Sequence, residues 1–173
     1  MVDVLTSEQR RLNMSRIRGR DTKPELLIRR GLHARGFRYR VQDKKLPGRP
    51  DLVFPRYHAV IFVHGCFWHG HDCPMFKLPA TRQEFWNQKI MSNRARDERV
   101  TAVLIELGWR IANVWECSIR GPAKLKNDDV ITACQNFLRS REINILNISG
   151  IEIAHENKKT ENKPLKSDEP QQP

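Results

Sequence analysis

The chain has 173 residues and a mass of 20.3 kDa, enough for one domain with a real core. It carries a net charge of +11 and a pI near 10.0, and no apolar run approaches the roughly 18 residues a membrane span needs. No signal peptide is apparent, so four cysteines point to metal or thiolate chemistry rather than disulfides.

The charge is uneven. Residues 1–50 hold 14 Lys and Arg against 5 Asp and Glu, which favours a polyanion partner such as nucleic acid, although a solvated basic face would look the same. Residues 7–19 read as a short helix or arm, arginine-rich and too polar for core, suited to lying on DNA. Thr22 then opens a helix, with Pro24 in its first turn and Glu25 completing a capping box. Leu26, Leu27, Ile28 and Leu32 form its apolar side and Gly36 ends it. Capping alone explains Glu25. Residues 37–41 alternate as a strand.

Residues 44–50 form a turn. Residues 51–55 are a short strand, 56–58 a hairpin turn, and 59–63 a fully apolar strand suited to the middle of a sheet. Asp51 therefore stands at a strand end, where a carboxylate can hold a hard cation such as magnesium. Thr81 and Glu84 repeat the capping chemistry for a helix to about Leu107, with Gly108 after it. Val100, Val103, Leu104 and Leu107 make its core stripe. At its start Trp86, Lys89, Ile90 and Asn93 share a face, either base-contacting or, for Trp86, packed in the core. Residues 109–116 form a strand followed by Cys117. Residues 128–139 form a helix whose apolar stripe includes Cys134 as a core residue. A last short strand falls in 143–154, and the polar tail 156–173 lacks the composition for a core. The expected organisation is a basic arm over 1–20, one folded domain over 21–155 and a disordered tail over 156–173.

Two side-chain constellations carry chemistry. Cys66, His71, Cys73 and Cys117 make three thiolates and an imidazole, the donor set of a closed structural zinc site. Reduced thiols without metal would share the pattern, and His69 competes with His71 as ligand. Asp51, His64 and His69 supply what phosphodiester hydrolysis needs: a cation ligand and a base for the attacking water. The order of helical Glu25, then Pro50-Asp51, then a strand is similar to the restriction-endonuclease core. The expected fold is thus α/β, a restriction-endonuclease-like central mixed sheet flanked by helices, with a structural zinc site. Where that superfamily usually has Glu-x-Lys, this chain has Phe62-Val63-His64.

The segments 20–22, 40–43, 46–51, 60–69, 79–82, 85–86 and 114–117 closely resemble the very-short-patch repair (Vsr) endonuclease family, over roughly residues 10–140. The resemblance implies a magnesium-dependent enzyme of the bacterial cytoplasm. It acts at the nucleoid as a monomer and nicks double-stranded DNA 5′ of the thymine in T:G mismatches left by deaminated 5-methylcytosine. It implies Asp51 and the Val63 backbone carbonyl as magnesium ligands, His69 as general base, His64 as phosphate contact and Glu25 as water-positioning group. Cys66, His71, Cys73 and Cys117 match zinc ligands. Phe67, Trp68 and Trp86 match intercalating aromatics, with Met14 in an arm wedging from the other side; the spacing on the helix, not the resemblance, adds Lys89 and Asn93 as DNA contacts beside Trp86. A MutL-type mismatch-repair protein is the implied partner. Residue 63 is Val where the family often has Thr. Gly70 replaces a more usual His, which would loosen its loop. Core packing is the plain alternative for Phe67 and Trp68, but aromatics that stack on exposed bases recover much of the cost of opening a mismatch. A restriction-type endonuclease cutting intact duplex, and a zinc-stabilised DNA-binding module without catalysis, are the competing readings.

Overall fold

The computed structural model describes residues 6, 8, 9, 11, 12 and 19–157. Most of the basic arm with Met14, and the tail from residue 158, lie outside the described residues.

The described chain starts in earnest with α1 (Lys23–Ala34). Thr22 Oγ1 accepts from the Glu25 N–H, and Glu25 Oε1 accepts the Thr22 hydroxyl at 2.9 Å, so the capping box forms. Its end is a Schellman turn: the Gly36 N–H donates to His33 O and the Phe37 N–H to Leu32 O, with Gly36 at a left-handed φ of 86°. Phe37 consequently drops into the core against Phe54 and Tyr57, and the strand expected over 37–41 shrinks to β1 (Arg40–Val41).

β2 (Leu52–Phe54) and β3 (Ala59–His64) form an antiparallel pair through a 3₁₀ turn, Pro55–Tyr57; Pro55 has no N–H to extend the ladder. From β3 the chain crosses over through α2 (Gln83–Glu106) to β4 (Arg110–Trp115), parallel to β3. A one-turn helix, α3 (Glu116–Ile119), follows directly. The second crossover is α4 (Asn127–Arg139), leading to β5 (Ile143–Ile148), parallel to β4. β6 (Ile153–Asn157) turns back antiparallel on β5. The result is one mixed sheet in the order β1-β2-β3-β4-β5-β6 with helices on both faces, the α/β architecture expected. The single strand expected in 143–154 is instead a hairpin, and the expected domain edge at 155 falls inside β6.

Period-2 alternation divides the core. Leu52, Phe54, Ala59, Ile61, Ala112, Val114, Leu146 and Ile148 face one way, under α1 and α4. Val53, Val60, Phe62 and Ile111 face the other, under Leu104 and Val100 of α2. Gly31 lets α1 and α4 close: a Cβ there would lie 2.6 Å from the Ile131 side chain. Arg110, buried at the start of β4, donates to the carbonyls of Tyr57, Phe137 and Leu138 and so ties the α4 end to the hairpin turn.

α2 departs from expectation at its start and along its core stripe. Its N-cap is Arg82 in a left-handed conformation with no side-chain capping bond, so the helix starts after Thr81 rather than on it. The Arg82 guanidinium lies 4.7 Å from the Phe85 ring centroid and holds that turn. Of the expected core stripe, Leu104 and Val100 pack on the sheet, while Val103 and Leu107 are 40% and 54% exposed. The inward face runs through Asn93 and Asp97, which meet the loop after β3, to Val100 and Leu104, which meet the sheet, and this sets the other two aside. At its far end Gly108, at φ 79°, closes a second Schellman turn as expected.

Candidate active site and metal centre

Both constellations grow from the carboxyl ends of the parallel strands β3 and β4, where α/β sheets open their clefts. The loop leaving His64 carries Cys66, Phe67, Trp68, His69, His71 and Cys73. The chain leaving Trp115 carries Cys117.

Cys66, His71, Cys73 and Cys117 bring one ligand atom each to within 4.8 Å of one another, so the four could hold a metal ion. Cys117 Sγ and His71 Nδ1 are 3.6 Å apart, and Cys117 Sγ accepts from the Gly150 N–H. The His71 ring stacks on Trp115 at 4.1 Å between centroids. Burial pushes the Cys66 and Cys117 thiols up, so a cation is what would make this pocket a thiolate set. The donor types and their convergence fit a four-coordinate structural zinc. Glu116 clamps the loop base: its Oε2 accepts from the Cys66 N–H and its Oε1 pairs with Arg120 Nε at 2.7 Å. Gly70 does not loosen the loop. It sits at φ 59° hard against α2, where a Cβ would fall 2.6 Å from Ile90 Cγ2, so a side chain would push the loop away. Cys134 is fully buried in α4, with its thiol pushed up to about 12 by desolvation, as suits a core residue.

The loop's other imidazole goes elsewhere. His69 Nδ1 pairs with Asp97 Oδ2, delivered by α2. Burial would raise the Asp97 carboxyl, but its bond to His69 and the charges around it hold it below the usual carboxylate range. Asp97 was not singled out from the sequence. The signal was present, because Asp97 continues the helical face of Trp86, Ile90 and Asn93 at spacings of three and four. Asn93 is only 8% exposed, and its amide donates to Trp68 O at 2.8 Å. It fastens the loop and does not stand beside exposed Lys89 on one base-contacting face, as the spacing had suggested; Trp86, half-buried, turns its ring to the aromatic loop.

Asp51 precedes β2, and its Oδ2 accepts the Val63 N–H at 2.8 Å across the hairpin. Desolvation raises its pKa to about 6, with Glu25 adding to the rise. A cation bound beside such a carboxyl would return it to its charged form. Glu25 is 4% exposed; its Oε2 accepts the Asp21 N–H and pairs with Arg29 Nη2 at 3.0 Å. Capping and cleft-lining thus coexist in one side chain. His64 lies 4.3 Å from His69 between ring centroids, and burial lowers its pKa to about 3, leaving it neutral. Its Nε2 is 3.3 Å from Asn113 Oδ1, and Asn113 is oriented in turn by Asn147.

Phe67, Trp68 and Trp86 form edge-to-face pairs 5.1–6.1 Å apart, all half-buried. Each borders the same cleft of about 1340 Å³ that Glu25, Asp51, Val63, His64, His69 and Asp97 line. The four residues of the cysteine–histidine cluster do not line this cleft, although three of them stand in the same loop as Phe67 and Trp68.

The family model for "DNA mismatch endonuclease Vsr" matches residues 2–75. The DNA mismatch endonuclease Vsr of Escherichia coli is 51% identical over 132 residues, covering 76% of this chain and 84% of the relative. The type II nicking enzyme V.XorIIP of Xanthomonas oryzae is 50% identical over 119 residues, 69% of this chain and 88% of the relative. The type II nicking enzyme V.NmeAIP of Neisseria meningitidis is 41% identical over 123 residues, 71% and 88% respectively. With identities of this size over most of both chains, and a hydrolytic cleft at the matching segments, the chain belongs to the Vsr family of DNA mismatch endonucleases.

Proposed function

We propose that this endonuclease nicks duplex DNA on the 5′ side of the thymine in T:G mismatches, with magnesium for catalysis and zinc on Cys66, His71, Cys73 and Cys117. The reading rests above all on one cleft that joins a carboxylate floor, an imidazole–carboxylate pair and an aromatic wall. The names of the relatives, a mismatch endonuclease and nicking enzymes, support it.

Asp51 and the Val63 carbonyl would hold magnesium, the hard cation that oxygen donors favour. Magnesium, when bound, neutralises charge that builds on the scissile phosphate. The chain's own residues do the rest. Asp97, an acceptor only, fixes the His69 proton on Nδ1 and leaves the Nε2 lone pair to take a proton from water. As His69 becomes positive, Asp97 stabilises it. Glu25, pinned by Thr22, Asp21 and Arg29, positions the water. Burial holds the His64 pKa down, and as a neutral imidazole it still has one N–H to donate to an incoming phosphate. Phe67, Trp68 and Trp86 offer ring faces to bases opened at the mismatch, with exposed Lys89 near them on α2. The enzyme works as a monomer, and a MutL-type protein is its partner in repair.

Paired oligonucleotides carrying T:G or C:G at one position test the reading. Nicking of T:G duplex alone, with magnesium and not with EDTA, is expected. Equal nicking of both duplexes would make it a sequence-specific nickase of intact DNA. Tight binding without cleavage would leave only a zinc-stabilised binding module.

A further inference from the structure

We propose that His64, His69 and Asp97 form a second, inhibitory site for a borderline divalent cation such as zinc, separate from the Cys66–Cys117 cluster and from Asp51. Each of the three offers one ligand atom, and these atoms lie within 4.8 Å of one another. Two ligands on a tetrahedral ion at about 2.0–2.1 Å stand roughly 3.3–3.4 Å apart, so an entering ion displaces the proton that His69 Nδ1 shares with Asp97 Oδ2, releases it to solvent and moves the two ligand atoms apart. Two imidazoles and a carboxylate on one side, open on the other, is the donor set of a facial triad. All three groups are half-buried, and the site opens into the cleft.

The chemistry separates this site from its neighbours. Asp51 and a backbone carbonyl offer only oxygen and suit magnesium. The loop cluster is thiolate-rich and closed. Imidazole nitrogen suits borderline cations such as zinc, cobalt or nickel, whereas magnesium, a hard cation, favours oxygen donors. The three side chains come from β3, the loop and α2, so no single element carries the site. Inhibition rests on the reading of His69 as the proton acceptor: an ion on its ring occupies that group. The binding itself does not depend on that reading.

Cobalt(II) is the probe, added to full-length protein as purified. Cobalt that enters the cysteine cluster gives thiolate charge-transfer absorption in the near ultraviolet. Cobalt on His64, His69 and Asp97 gives visible d–d bands without it. One such equivalent is expected, with two imidazole ring protons shifted far outside the diamagnetic range in proton NMR of the unmutated protein. Loss of an outer-shell partner of a metal costs about 10–100-fold in affinity. Asp97→Asn and His69→Ala, which remove a ligand, should cost at least as much, whereas Asp51→Asn, which removes only a neighbouring charge, should lower the affinity a few-fold at most. No thiolate-free equivalent, or no shifted imidazole protons, overturns the site, and so does cobalt affinity lost in Asp51→Asn alone. In a parallel nicking assay at fixed magnesium, zinc should slow the wild type. If cobalt binds as described but nicking is unaffected, the site stands and His69 is not the proton acceptor. If nicking slows without shifted imidazole protons, the site is refuted and zinc acts elsewhere.

Discussion

Asp51→Asn should destroy activity and stabilise the metal-free fold, and the structure sets the size of the second effect. The Asp51 carboxyl is raised from 3.8 to about 6, chiefly by desolvation. A group whose folded pKa exceeds its unfolded value contributes stability that is complete below the unfolded pKa. That contribution is lost as pH rises through the folded pKa. For Asp51 the window runs from about pH 4 to about pH 6. Above it, carrying the ionised carboxylate costs about 1–3 kcal/mol, two units at about 1.4 kcal/mol each being the upper part of that range. The amide introduced by Asp51→Asn bears no charge, yet its carbonyl can still accept the Val63 N–H that now bonds Asp51 at 2.8 Å. At pH 8 without magnesium the variant should melt several degrees higher, since each kcal/mol moves a chain this size by roughly 2–4 °C. The advantage should vanish near pH 4. Magnesium should raise the wild-type Tm at pH 8 and leave the variant unmoved. Thermal melts at the two pH values, with and without magnesium, decide it. A variant that melts at or below wild type at pH 8 refutes the reasoning, because Asp51 would then be satisfied without a cation.

Asp97→Asn should cut single-turnover nicking by about 10²–10⁴-fold while leaving mismatch binding intact, since an amide no longer fixes the His69 tautomer; a rate within a few-fold of wild type would remove Asp97 from the chemistry. Purified protein should hold one tightly bound zinc by elemental analysis, and Cys73→Ser should lose it and melt lower; stoichiometric zinc in a Cys66, Cys73 and Cys117 triple variant would refute the ligand set. Trp68→Ala should weaken the preference for T:G over C:G duplexes by about 1–3 kcal/mol with magnesium dependence kept. Unchanged discrimination in a binding titration would show that the ring only packs the loop against Phe67 and Trp86.

Local pattern alone determined much of this protein. The capping residues of α1, the glycine that ends each of α1 and α2, the apolar run of β3 and the close spacing of Cys66, His71 and Cys73 are effects of neighbours within a few residues, so they are written in the sequence. The resemblance also reached the family through contiguous segments. Tertiary structure decided what depends on residues far apart in the chain. Asp97 lies 28 positions from His69, and only the packing of α2 across the cleft makes them a pair. Asn93, spaced like a surface donor, is turned inward because Trp68 presents a carbonyl to it. Phe37 leaves its strand because Phe54 and Tyr57 form a pocket for it at the end of α1. The choice between His69 and His71 follows the same rule. Both stand in one short loop, His71 preferred as ligand and His69 its competitor, and the fold separates them by placing Cys117 beside His71 and Asp97 beside His69. A side chain's chemistry belongs to the sequence, but its partner is fixed only when the sheet and its crossovers bring distant groups within bonding reach.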